Sequence, residues 1–184
     1  MALVGWSHGG AVSITVAVQH PELVRSLFLY EPSLSSFVTD PGDLNVATES
    51  RAKAFAEGMA LVEKGEYEEA ARRALSGVNG QPDYFEGMPA WAQRMVLDNA
   101  RTLPLMAVAK PRPDITADDM RALGIPVKIV IGGETIESFK IIGRTAAELL
   151  PRGELQIVDG AVHFWPGLEP AAFNRLLLEF LARN

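Results

Sequence analysis

An apolar run at the start of the chain leads into a serine held between two glycines. Ala2-Leu3-Val4 precedes Gly5-Trp6-Ser7-His8-Gly9, and Gly10 onward reads as a helix. This order of strand, tight turn and helix is the nucleophile-elbow pattern, and it demands a sheet in which the strand can lie. The turn presents the serine hydroxyl in a strained backbone conformation, and side chains at Gly5 and Gly9 would collide with neighbouring backbone. The helix is expected from His8 to Gln19, ended by His20-Pro21 because proline cannot continue it. At its N-terminus the His8 amide is aimed where negative charge would develop on a reacting oxygen.

The rest of the chain repeats the alternation. Strands are legible up to Gly5, at Ser26–Tyr30, at Val127–Ile131 and at Leu155–Val158. Each is short and nearly all apolar, as parallel strands buried on both faces are. A helix at Glu137–Leu150 sets Ile136, Phe139, Ile142, Ala146 and Leu149 on one stripe. Pro170–Ala182 repeats that spacing with Phe173, Leu176, Leu177 and Phe180. Alternation of this kind predicts an α/β fold with a parallel sheet and right-handed crossovers.

Between Ser33 and Gly124 only helices are legible. Thr48 caps one that stops at Gly65, Glu66–Ser76 ends before Gly77, Pro89 opens a third running to Arg101, and Thr116 caps a short fourth. The expected organisation is a core of residues 1–32 and 124–184, with 33–123 as a helical lid over the C-terminal edge of the sheet. Met59, Met88, Met95, Met106 and Met120 fall in that insertion with Phe85 and Trp91. Thioethers suit an adaptable apolar pocket, and equally serve as core filler.

Composition removes whole classes of function. Asp and Glu outnumber Lys and Arg 23 to 17, a net charge of -6, which disfavours nucleic acid and anionic membrane as partners. No cysteine occurs, which excludes disulfides and thiol catalysis, and three scattered histidines offer no metal-ligand spacing. Neither a cofactor nor a metal is expected. No run approaches a membrane span and no signal-peptide layout opens the chain, so cytoplasm is the expected location.

Three histidines compete for the role of base. His20 precedes a proline at a helix end, a solvated position, and His8 is more useful for its amide than for its ring. His163 follows the last strand and the loop Asp159-Gly160-Ala161-Val162, where open α/β sheets place working groups.

These segments together resemble the α/β-hydrolase family. Gly5–Gly10 looks like its G-x-S-x-G-G elbow, Val24–Pro32 like the next strand, Ile125–Gly133 like the one after, and Asp159–His163 like its closing histidine loop. The resemblance covers residues 1–32 and about 124–184. It implies a Ser-acid-His triad in that chain order, with Ser7 as nucleophile, His163 as base and the His8 N–H in the oxyanion hole. For the acid, Glu134 is the first candidate and Glu31 the alternative. The family's aspartate follows the strand ending near Gly133, where this chain has Glu134, while Glu31 ends the preceding strand, a position some members use; Glu137 is a further candidate, and Asp159 suits the turn. Trp6, Trp91 and Trp165 are expected to line the substrate pocket, with ordinary packing as the alternative.

The resemblance also implies that four earlier strands and the second oxyanion donor are missing. The expectation is therefore an N-terminally truncated half-sheet of about four strands whose elbow strand is an uncovered edge, prone to self-association. A serine hydrolase acting on a small ester-like, apolar carbonyl substrate is the leading reading. A catalytically silent remnant, serving as a binding or oligomerising module, is the alternative.

Overall fold

A computed structural model describes residues 1–107 and 114–184; the side chains of Met106 and Ala107 also lie outside the described part, so the expectation for Met106 is not addressed. Four strands form one parallel sheet in the order β1 (Ala2–Trp6), β2 (Ser26–Tyr30), β3 (Val127–Gly132) and β4 (Gly153–Val158). All four strands occur where they were expected, and β1 lies at an edge.

The period of two along β2 sorts its side chains between two layers. Leu27 and Leu29 face one layer with Val127, Ile129 and Ile131 of β3. There they meet α1 (His8–Gln19) and α7 (Glu137–Leu149) through Ala11, Ile14, Ala17, Ile142 and Ala146. Phe28 and Tyr30 face the other layer, against Phe180, Phe173, Leu176 and Leu177 of α9 (Pro170–Arg183). Every residue of β2 is buried, because a central strand is covered on both sides. Each fully buried Leu, Ile or Phe here contributes on the order of 1.5–3 kcal/mol.

The chain divides into two compact units, Met1–Ala47 with Pro113–Asn184, and Thr48–Arg112. Residues 33–47 and 114–123, placed in the insertion by the expected organisation, fall in the first of these units. Leu34, Phe37 and Val38 on one side and Ile115, Met120 and Leu123 on the other are buried in the same apolar cluster as β2 and β3. Met120 is thus core filler of the sheet unit.

Helix α2 spans Pro41–Glu63 and so begins well before the start that Thr48 suggested. The Asp43 N–H donates to Asp40 Oδ1 at 2.9 Å, so Asp40 caps the helix and Pro41 takes its first position. In the second unit α3 (Tyr67–Val78) runs through Gly77 rather than stopping before it. A Cβ at Gly77 would overlap the Ala54 carbonyl of α2, so this glycine serves close helix contact, not termination. Helix α4 (Ala90–Asp98) is shorter than expected and gives way to a 3-10 turn at Ala100–Thr102, before α5 (Leu103–Ala107). Thr116 caps α6 (Ala117–Ala122) as anticipated, and α8 (Trp165–Leu168) is a single extra turn before α9. Among the described residues no helix is long and apolar enough to cross a membrane.

Candidate active site

Ser7 follows β1 and precedes the first residue of α1, with φ 54 and ψ -117. Its N–H donates to the Tyr30 carbonyl at 2.9 Å, and its own carbonyl accepts the Ser33 N–H at 3.0 Å. The strained turn is thereby fastened to β2 and to the segment after it. A Cβ on Gly5 would lie 2.6 Å from Gly10 Cα, and one on Gly10 would lie 2.9 Å from Pro32 Cα. Gly9 differs from expectation, since nothing stands within 4 Å of where its Cβ would be. The crowding that demands glycine acts at positions 5 and 10, because those backbones cross at the strand-to-helix turn.

Ser7 and Glu31 are the two non-glycine residues with positive φ among the described residues; Glu31 has φ 44. A left-handed conformation costs an L residue with a side chain free energy and persists where surrounding structure enforces it, most often at working sites. Trp6 pairs with Tyr30 in the parallel register, so Ser7 and Glu31 leave the ends of adjacent strands at one rim.

Glu31 is fully buried, and three donors converge on it. The Gly132 N–H donates to Oε1 at 2.8 Å and the Thr135 hydroxyl to Oε2 at 3.0 Å. His163 Nδ1 meets Oε2 at 2.5 Å. With a carboxylate accepting at Oε2, a neutral imidazole carries its proton on Nδ1 and keeps Nε2 as an acceptor. This geometry separates the two carboxylates the sequence left open. Glu31, the alternative, is on His163, whereas Glu134, the preferred candidate, is exposed, and its N–H ties the Ala161 carbonyl at 3.0 Å. Glu134 therefore anchors the histidine loop through its backbone. Glu137 is exposed and pairs with Lys140 at 2.9 Å.

The loop that carries His163 is held from several directions. The Tyr30 hydroxyl donates to the Val162 carbonyl at 2.7 Å, and the Gly133 N–H donates to the Val158 carbonyl at 2.8 Å. A Cβ on Gly132 would overlap the Ala161 carbonyl and crowd Glu31 Oε1 at 3.1 Å. Glycine at 132 thus allows β3 and the histidine loop to touch.

Aromatic rings surround the imidazole, which is 6% exposed. Phe139 stacks on it with centroids 4.3 Å apart and planes 4° from parallel. Trp6 lies 5.8 Å away at 60° and also meets Phe164 at 5.4 Å. Its buried Nε1 has no hydrogen-bond partner. Trp165 takes the packing role instead, buried in the α9 layer against Tyr30 at 5.7 Å and Phe173 at 6.0 Å. Trp91 belongs to the second unit, where it is 49% exposed. His8 and His20 are exposed, and His20 lies 3.7 Å from Glu22. No cluster of metal-ligating side chains occurs among the described residues.

Thr135, Gly132 and Phe139 were not singled out for the site from sequence. A buried threonine just past a strand end and an aromatic in the first turn of the next helix were the available signals.

No protein-family model matches the chain, and no curated protein matches it either. Solved structures do. Carboxylesterase CesB (YbfK) from Bacillus subtilis is 19% identical with a TM-score of 0.70, over 100% of this chain and 60% of that one. The esterase RhEst1 from Rhodococcus sp. ECU1013 is 20% identical with a TM-score of 0.73, over 98% of this chain and 64% of that one. An alpha/beta hydrolase from Sphaerobacter thermophilus DSM 20745 is 20% identical with a TM-score of 0.64, over 97% and 66%. The chain thus spans 60–66% of the length of these structures. Its four-stranded parallel sheet with flanking helices is part of an α/β-hydrolase fold.

Proposed function

We propose that this site belongs to a serine hydrolase acting on a small, ester-like carbonyl substrate. The observation that carries the reading is the convergence at one rim of Ser7 and Glu31, both held left-handed, with Glu31 bonded to His163 Nδ1. In this mechanism Ser7 Oγ attacks the carbonyl carbon while His163 Nε2 takes its proton. Glu31 fixes the imidazole tautomer and stabilises the imidazolium that forms. The His8 N–H, at the positive end of the α1 dipole, donates to the oxyanion of the tetrahedral intermediate. His163 then returns the proton to the departing alkoxide, and water repeats the cycle on the acyl-enzyme.

Support for an apolar substrate comes from Trp6, Phe139 and Phe164 around the base, which favour an uncharged group beside it. The esterase names of two of the structural relatives point the same way. The test is labelling by a fluorophosphonate probe. The expected result is a stoichiometric adduct on Ser7, absent in Ser7→Ala and strongly slowed in His163→Ala. A folded chain that refuses the probe would overturn the reading.

A further inference from the structure

We infer that Phe139 is a positioning residue for His163, its ring holding the imidazole in the plane in which Nδ1 meets Glu31. The inference rests on the reading of His163 as the base. A single in-plane hydrogen bond fixes where Nδ1 points but leaves the ring able to rock about the Nδ1–Oε2 axis, and the terminal torsion of histidine is intrinsically broad. The face-on stack at 4.3 Å and 4° blocks that motion, because any tilt drives the imidazole into the phenyl face.

Phe139 is itself immobilised, being 2% exposed in the first turn of α7. Farther along the same stripe, Ile142 and Ala146 are buried in the core against β3. Phe139 instead lays its ring on His163, so its aromaticity has a use that packing alone does not demand. A second effect follows from charge. When the imidazole takes the serine proton it becomes a cation over a ring face, and that attraction exists only in the charged form. Such an interaction stabilises the transition state more than the ground state, so it acts on kcat rather than on KM.

The experiment compares Phe139→Leu and Phe139→Met, which keep apolar bulk without a ring face, with Phe139→Tyr, which keeps the face. Folding is checked by far-ultraviolet circular dichroism. Two quantities are read: the low-field proton resonance of the His163 Nδ1–H, and kcat and KM on p-nitrophenyl acetate. The expected result is an upfield-shifted or broadened resonance in the Leu and Met variants. Their kcat falls about threefold to thirtyfold at nearly constant KM, and Tyr restores both signals. A resonance absent from the parent chain, unmoved in folded Leu and Met variants, or as disturbed in Tyr as in Leu, would overturn the inference. If the parent chain hydrolyses no ester, the proposed function falls, while the resonance still decides whether Phe139 holds the ring.

Discussion

Glu31 Oε2 lies 2.5 Å from His163 Nδ1, across 132 positions of chain, with both side chains buried. Such a pair imposes its own geometry on the fold. A buried carboxylate must find donors, and here Gly132 and Thr135 supply two and the imidazole the third. Removing one member leaves the others desolvated and unmatched, which costs more than the bond itself contributes.

Glu31→Gln is therefore expected to lower kcat by on the order of 10²–10⁴, because an amide neither enforces the Nδ1–H tautomer nor stabilises the imidazolium. Glu134→Gln, at an exposed position whose backbone does the anchoring, should stay within about twofold. Steady-state turnover of a p-nitrophenyl ester distinguishes them. Equal losses in both variants, or none in either, would contradict the assignment of Glu31.

The left-handed Ser7 predicts a stability difference between two inactive variants. Ser7→Ala and Ser7→Gly both remove the nucleophile, but only glycine adopts φ 54 without strain. In urea denaturation Ser7→Gly should be the more stable of the two by about 1 kcal/mol. The reverse order would show that the turn is relaxed.

Two glycines near the site should respond oppositely to alanine. At Gly132 the added methyl overlaps the Ala161 carbonyl and presses on Glu31, so Gly132→Ala should cost about 2–4 kcal/mol and most of the activity. At Gly9, exposed in the first turn of α1 with open space around it, Gly9→Ala should stabilise by about 0.5–1 kcal/mol. Thermal or urea melting of the two variants checks both signs.

The capping box of α6 gives a pH-dependent contribution. The Thr116 backbone N–H and then its hydroxyl hold the Asp119 carboxyl below its ordinary value of 3.8. A depressed folded pKa means that the stabilisation is complete above 3.8 and is lost as pH falls through the lower folded value. Asp119→Asn should thus be less stable than the parent chain at pH 7, and the gap should close in strong acid. A gap independent of pH would remove the carboxylate from the account.

Much of this architecture is legible in the sequence. Runs such as Ser26–Tyr30 and Val127–Ile131 carry enough apolar bulk to declare buried strands, and the serine between glycines declares a strand-to-helix turn. Asp40-Pro41 carries a helix-start signal of its own, eight positions before the similar one at Thr48. Gly77 misled because a glycine within a helical pattern signals either an end or a close crossing. The neighbouring helix decides which, and here Ala54 is that neighbour.

Sequence by itself determined the strand-helix alternation, the elbow serine and the histidine after the last strand, because each is written in local spacing of apolar, small and polar residues. Tertiary structure alone decided which glutamate meets that histidine. Glu31 and Glu134 both follow strands and carry the same functional group, so nothing local ranks them. The choice arises because β2 lies between β1 and β3, where its end is buried and ringed by donors, while Glu134 falls on an exposed turn. The Phe139 stack was hidden for the same reason: an amphipathic stripe records that a face is covered and says nothing about which ring lies beneath it.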